Sequence, residues 1–158
     1  MTPMKYSLAQ RAIHWLTLLL MIGSFVSHEA MSAVWDVIED GGTAVVTAGA
    51  RSHQILGIAV FLLTLVRLGL RLRLGAPAPV AGQSAVVTLA SGLVHGLLYV
   101  LMLVIPLTGM MAFGGGIEAA AEVHEALFTL LLVLVGGHAG AALVHQFVLK
   151  DDLLSRMR

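Results

Sequence analysis

Four long apolar stretches dominate this sequence and restrict the folds open to it. Each is long enough to form the roughly 20 residues of helix that span the hydrocarbon core of a bilayer. Of all residues, 58% are hydrophobic and only 11% are charged, and the mean hydropathy is +0.93. A soluble domain carries about 25% charged residues. The sequence therefore predicts an integral membrane protein whose helices cross the bilayer.

The positions of the apolar stretches predict a single domain over residues 1–158, an all-α membrane protein built as a four-transmembrane-helix bundle. The spans are expected at about residues 10–30, 50–71, 88–113 and 122–150. A polar, acidic loop is expected after the first span. Pro106 lies within the third span, where neighbouring helices can accommodate the kink it causes. The first span follows Lys5 and Arg11 as a signal peptide would, but it lacks a convincing cleavage site and is expected to be retained.

Charged residues divide between the two ends of the predicted bundle. By the positive-inside rule, the basic end is cytoplasmic, and both termini are expected there. Arg51 is the one basic residue expected on the other, outer side. The basic residues are Lys5, Arg11, Arg67, Arg71, Arg73, Lys150, Arg156 and Arg158, and the acidic residues expected outside are Glu29, Asp36, Glu39, Asp40, Glu118, Glu122 and Glu125.

Histidines inside the apolar stretches are the strongest indication of function. Ionisable side chains at that depth are costly and usually mark a site. His14, His53, His138 and His145 lie in or at the edge of predicted spans. His138 and His145 are seven residues apart on one predicted helix, which places them on one face about 10 Å apart. With one histidine from each of two other spans, they are predicted to hold the iron of two bis-histidine haems.

Depth within the spans predicts how these histidines pair. His14 and His145 both lie near the cytoplasmic side and are expected to clamp one iron. His53 and His138 then form the outer pair, although their predicted depths differ by roughly 9 Å. Arg51 is expected to reach a propionate of the outer haem.

The remaining histidines are interpreted from their positions. His95 is expected to contact a quinone head-group or a haem propionate, or to serve as an interfacial polar group. His28 and His124 lie at predicted outer helix ends and are expected to be interfacial. The chain has no cysteine, which excludes a c-type haem attached through thiols, iron–sulfur clusters held by thiolates, and disulfides.

Several motifs resemble the bacterial cytochrome b561 family, and the resemblance covers essentially the whole chain. The motifs are Tyr6-Ser7 … Gln10-Arg11 … His14-Trp15, Ser52-His53 followed by Gly57, the Arg67–Arg73 cluster, Gly92 … His95 … Tyr99 … Pro106 … Gly109, and Val123-His124-Glu125 … His138-Ala139 … His145 … Lys150-Asp151.

The resemblance implies a di-haem b protein of the bacterial inner membrane that transfers electrons between a periplasmic-side donor or acceptor and the quinone pool, with ubiquinone as the expected substrate. In that family one iron ligand comes from span one, one from span two and two from span four. On this sequence those ligands map to His14, His53, His138 and His145.

Other functions stay open at this stage. Some family members are described as superoxide oxidases, but a positive outer surface would steer that anion inward, and here seven acidic residues face one arginine. Such a surface suits a basic periplasmic redox protein instead, and no nucleic-acid partner is expected. Related cytochrome b subunits anchor hydrogenases and dehydrogenases. A non-redox transporter or proton channel with a histidine relay is the remaining alternative.

Overall fold

A computed structural model describes residues 5–80 and 82–158, and all regular secondary structure within those residues is helical. The elements, in chain order, are α1 (Leu8–Val26), α2 (His28–Glu39), α3 (Ala48–Leu74), α4 (Ala85–Gly115), α5 (Glu118–Val144), a π-helical turn (His145–Leu149) and a 3-10 helix (Leu153–Met157).

Four of these helices are long and apolar enough to cross a membrane. They are α1, α3, α4, and α5 together with its π-helical extension to Leu149. Inside a bilayer no water is available for backbone N–H and C=O groups, so an apolar span must satisfy them within its own helix. The predicted fold class, an all-α bundle of four transmembrane helices, is confirmed. The cytoplasmic placement of the termini and the single domain over residues 1–158 stay predictions.

Short polar side chains fix where three of the long helices begin. Ser7 and Gln10 form a capping box, in which the Gln10 N–H donates to Ser7 Oγ at 3.3 Å and the Ser7 N–H donates to Gln10 Oε1 at 3.0 Å. The hydroxyls of Thr47 and Ser84 accept a backbone N–H from the first turns of α3 and α4. Because these first N–H groups have no acceptor within the helix, the caps define the helix starts.

The loop expected after the first span is wrong at Asp36 and Glu39, which lie in α2, whereas Asp40, Gly41 and Gly42 lie in the non-helical segment that follows. Ser27 ends α1, and α2 begins with the next residue. Apolar side chains recur at Ala30, Val34 and Ile38, and Val34 is buried. This four-residue spacing gives the segment one apolar face and leaves its acidic side chains exposed. The acidic residues that indicated a loop lie on the other face of an amphipathic helix.

The bundle is held together by two strong helix pairs. α1 packs against α3, and α4 packs against α5, while α3 also contacts α4. The buried core lies where α3, α4 and α5 meet and consists of Val60, Leu98, Leu101, Met102, Ile105 and Leu131.

The helix order brings the N-terminal segment, the α3–α4 connection and the C-terminal tail to one end of the bundle. The Tyr6 N–H donates to the Arg156 carbonyl at 3.2 Å, and the Trp15 indole N–H donates to the Met157 carbonyl at 2.9 Å. We call this the basic end, after Lys5, Arg11, Arg71, Arg73, Arg156 and Arg158. The opposite end, formed by α2 and the α4–α5 turn, is the acidic end, with exposed Glu29, Asp36, Glu39, Asp40, Glu118, Glu122 and Glu125.

The close contact between α2 and α3 yields a test of the fold. A Cβ on Gly49 would lie only 2.6 Å from the Ala30 Cβ. We expect Gly49→Ala to lower the free energy of unfolding, measured by SDS titration in mixed micelles, by about 1–3 kcal/mol through overpacking. Gly69→Ala, also in α3, would meet nothing within 4 Å and is expected to raise it by about 0.5–1 kcal/mol. Equal changes in the two variants would contradict the contact.

Candidate functional site

Six of the seven histidines lie in two clusters, one toward each end of the bundle. The basic-end cluster contains His14 of α1, His95 of α4 and His138 of α5, and the acidic-end cluster contains His28 of α2, His53 of α3 and His124 of α5. The ring centroids of His14 and His138 are 6.4 Å apart, and those of His53 and His124 are 6.3 Å apart. α5 thus supplies one member of each pair.

The two α5 histidines are spaced to serve both clusters from one helix face. His124 and His138 are 14 residues apart, close to four full turns, and therefore about 21 Å apart along the axis. Their partners lie at matching depths. His53 is five residues past the start of α3, and His124 is six past the start of α5. His14 is six residues past the start of α1, and His138 is six before the α-helical end of α5.

Backbone carbonyls orient both rings of the acidic-end pair. His53 Nδ1 donates to the Ser24 carbonyl at 2.9 Å, and His124 Nδ1 donates to the Ile105 carbonyl at 2.8 Å. Because a carbonyl can only accept, each ring carries its proton on Nδ1 and keeps a lone pair on Nε2. Metal-binding histidines are usually oriented in this way.

The acidic-end pair also borders an apolar cavity. His53 and His124 both line it, together with side chains of α1, α3, α4 and α5, and its volume is about 190 Å³. Gly57, one turn after His53, also lines this cavity, and a Cβ there would meet nothing within 4 Å. His28 lies 5.9 Å from His53 but does not line the cavity. Of the acidic-end histidines, His53 and His124 are therefore the two that border the cavity.

A cation accompanies the basic-end cluster. Arg67 Nη2 donates to His14 Nδ1 at 2.9 Å, and the Arg67 guanidinium carbon lies 5.5 Å from the centre of the Tyr99 ring. Within residues 5–80 and 82–158, Arg67 makes no ion pair with a carboxylate. Charged side chains inside a membrane are usually paired, and among the described residues Arg67 contacts His14 and the Tyr99 ring instead of a carboxylate.

The histidines fit a haem better than a bare metal ion. In the described part of the chain, no three His, Cys, Asp or Glu side chains form a group that could hold an ion. Haem iron needs only two axial ligands, because the macrocycle supplies the other four. An iron between two imidazole nitrogens, at bonds of about 2 Å, separates the ring centroids by about 6 Å. The His14–His138 and His53–His124 pairs match this separation, whereas His95 and His138, at 5.0 Å, are too close. His28 and His53, at 5.9 Å, match it as well, but His28 does not border the cavity that His53 and His124 line.

His145 lies away from both pairs, and the structure does not bring together the histidines that the sequence was expected to pair. It begins the π-helical turn, and its Nδ1 contacts the Asp151 carboxylate, which also accepts the Leu153 N–H at 3.2 Å. His14 faces His138 rather than His145, and His53 faces His124 rather than His138. The chain turns back after α5, so the His145 side chain holds the C-terminal tail.

Two other predicted site residues, Arg51 and His95, lie near the acidic-end and basic-end clusters, respectively. Arg51 is exposed at the acidic end, and its side chain forms no hydrogen bond or ion pair with the residues that the structure describes. His95 belongs to the basic-end cluster, and its Nδ1 donates to the Ser91 carbonyl at 2.6 Å.

His124 is the site residue that sequence reasoning missed. The fourth span was expected to begin near residue 122, which would leave His124 at the membrane surface. α5 begins at Glu118, so His124 lies more than one turn inside the helix. Its 14-residue separation from His138 was the signal in the sequence that could have identified it.

Comparison with known proteins agrees with the haem binding that this geometry indicates. The family model described as prokaryotic cytochrome b561 matches residues 5–158. The chain belongs to the prokaryotic cytochrome b561 family. Its relatives include cytochrome b562 of Cereibacter sphaeroides, 38% identical over 96% of this chain and 94% of that protein. A Yersinia pestis protein named probable superoxide oxidase CybB is 30% identical over 97% and 95%, and cytochrome b561 homolog 1 of Escherichia coli K12 is 29% identical over 97% and 96%.

Membership of the cytochrome b561 family confirms the predicted resemblance and the general function. This chain is a multi-pass membrane protein of a haem b family that takes part in electron transport. The four apolar helices and the paired intramembrane histidines agree with that assignment.

The contact between His145 and Asp151 yields a test of the role of His145. Asp151→Asn removes the carboxylate charge from a half-buried contact that holds the tail. We expect trypsin cleavage within the tail to speed up on the order of tenfold, as loss of a charge-assisted hydrogen bond implies. Asp152→Asn is the matched control, because its carboxylate reaches only the exposed Arg158 at 3.5 Å. An unchanged cleavage rate in Asp151→Asn would show that the contact does not secure the tail.

Proposed function

We propose that this chain carries two haem b groups, one between His14 and His138 and one between His53 and His124. The observation that carries the proposal is the equal separation of the two imidazole pairs, 6.4 and 6.3 Å, each of which joins α5 to a different helix. Haem iron supplies reversible one-electron chemistry, while the protein supplies the ligands, the burial and the hydrogen bonds that tune it.

The basic end is proposed to face the cytoplasm of a bacterial cell, across the inner membrane, in accord with the positive-inside rule. The His53–His124 haem then lies toward the periplasm and the His14–His138 haem toward the cytoplasm. Electrons pass between a periplasmic-side donor or acceptor and the quinone pool through these two haems. Ubiquinone is the proposed membrane substrate.

Arg67 is proposed to bind a propionate of the basic-end haem. As His14 now stands, Arg67 donates to its Nδ1, so the proton of that ring is on Nε2. If His14 held a haem iron through Nε2, its proton would be on Nδ1, and Arg67 would donate to another acceptor. A propionate is the anionic acceptor that the cofactor brings, and arginine is well suited to a carboxylate.

Arg51 and His95 are proposed as further cofactor contacts. Arg51 is exposed two residues before His53 and is assigned to a propionate of the acidic-end haem. His95 has its Nδ1 occupied by the Ser91 carbonyl, which leaves Nε2 to accept a hydrogen bond from a quinol hydroxyl or a protonated propionate.

Single histidine substitutions test the ligand assignment. We expect the wild type to contain two b haems per chain in a pyridine-haem assay. His14→Ala or His138→Ala should remove one haem, and His53→Ala or His124→Ala should remove the other, because each iron loses an axial ligand. The two pairs should leave different residual bands in the dithionite-reduced minus oxidised spectrum.

His145→Ala is the control for that experiment, because His145 contacts Asp151 instead of another histidine. It should retain two haems with wild-type spectra. Loss of a haem from His145→Ala, together with two haems in His124→Ala, would contradict the assignment. A colourless wild type from haem-supplied cells would favour a transporter or channel.

A second candidate function is oxidation of superoxide with transfer of its electron to ubiquinone. One relative, 30% identical over nearly the whole chain, is named a probable superoxide oxidase. The exposed charges oppose this function, since seven carboxylates and one arginine at the acidic end would repel an anion. The same charges favour a basic redox protein as the periplasmic partner.

The dependence of rate on salt separates these two partners. Carboxylates attract a basic protein, so reduction of the haems by a basic soluble cytochrome should slow by about tenfold from low to physiological ionic strength. Reduction by superoxide should instead speed up, because salt screens the repulsion. The double variant Asp36→Asn/Glu39→Gln should weaken both trends. A superoxide reaction that slows with salt would indicate attraction of the anion and would favour the superoxide oxidase.

A further inference from the structure

Gly109 of α4 receives the ring of His124 from the neighbouring helix. A Cβ on Gly109 would lie 2.9 Å from His124 Cε1 and 3.0 Å from Nδ1. Side-chain carbons do not approach a ring that closely, so His124 can occupy this position only because residue 109 has no side chain. Within residues 5–80 and 82–158, no other glycine has a histidine within 4 Å of its Cβ position.

A carbonyl one turn earlier completes the contact. Ile105 and Gly109 are four residues apart and therefore lie on one face of α4. The edge of the His124 ring lies against Gly109 while its Nδ1 donates to the Ile105 carbonyl at 2.8 Å. The Thr108 hydroxyl donates to the same carbonyl at 2.8 Å and lies 3.4 Å from His124 Nδ1. We call Ile105, Thr108 and Gly109 the α4 notch.

We propose that the α4 notch positions His124 as a haem ligand, and that it can do so because Gly109 has no side chain. This inference rests on the proposed haem between His53 and His124. A side chain at position 109 displaces the imidazole from α4, lengthens its hydrogen bond to Ile105 and changes the direction in which Nε2 faces His53. The hydrogen bond to a ligand histidine fixes its tautomer and basicity, and these tune the haem. Gly109 thereby acts on the iron through His124.

The basic-end pair has no such notch. Gly136, Gly137 and Gly140 surround His138 in sequence, yet a Cβ on any of them would meet nothing within 4 Å. No hydrogen bond orients the His138 ring within the described residues, and His14 is bonded by Arg67. A substitution of Gly109 should therefore alter one haem and spare the other.

Variants of increasing size at position 109 test the proposal in the intact, haem-loaded protein. We expect Gly109→Ala to keep two haems but to shift the midpoint potential and the low-spin electron paramagnetic resonance signal of the acidic-end haem. The basic-end haem should keep both wild-type values. Gly109→Val should contain one haem, with the same residual spectrum as His124→Ala. Gly114→Ala is the matched control, because residue 114 also lies in α4 and its Cβ would meet nothing within 4 Å.

The basic-end haem serves as an internal reporter of folding in every variant. The inference is overturned if Gly109→Ala matches the wild type in both the potential and the resonance signal, whatever Gly109→Val does. It is also overturned if Gly114→Ala shifts these values as much as Gly109→Ala. Failure of the proposed function looks different, because His124→Ala would then retain both haems or the wild type would contain fewer than two.

Discussion

The separation of His124 and His138 along α5 is the constraint on which the site depends. Four turns of one rigid helix set two sites about 21 Å apart, one toward each end of the bundle. The partner helices run in opposite directions, so α1 starts at the basic end and α3 starts at the acidic end. Each therefore presents a histidine in its second turn at the depth of one α5 histidine. The second turns of α1 and of α3 thus face α5 near its two ends.

The two clusters differ in how they hold their histidines, and this gives the two proposed haems unequal surroundings. Backbone carbonyls fix both rings at the acidic end, and Gly109 allows α5 to bring His124 against α4. At the basic end, a guanidinium lies against His14 with no carboxylate among the described residues to balance it. A cation near a haem shifts the reduction potential of that haem in one direction. Carbonyls that accept hydrogen bonds from the ligand histidines shift it in the opposite direction. In an electron carrier with two such sites, the two haems would therefore differ in reduction potential.

Several features were predictable because they depend on composition or on short local patterns. Apolar runs with few charges predicted four membrane helices, and the motifs around His14, His53 and His138 predicted the cytochrome b561 family, which the family match confirms. Asp36 and Glu39 were expected in a loop but lie in α2. Their acidic side chains indicated a loop, whereas the four-residue spacing of Ala30, Val34 and Ile38 indicates a helix. The structure also does not bring His14 to His145 or His53 to His138, for a different reason. The expected depth of each histidine depended on the expected ends of its span. α5 begins at Glu118, four residues before the expected start of the fourth span at residue 122, and its α-helical part ends at Val144.

The sequence by itself determined that this chain lies in a membrane as four helices, and it placed histidines inside them. It could not determine which histidines face one another, because these helices are apolar nearly all round and their pattern does not reveal which face turns inward. Only the tertiary structure decided this, through the packing of α1 on α3 and of α4 on α5. That packing brings His124 to Gly109 and opposite His53, and it assigns His145 to the tail.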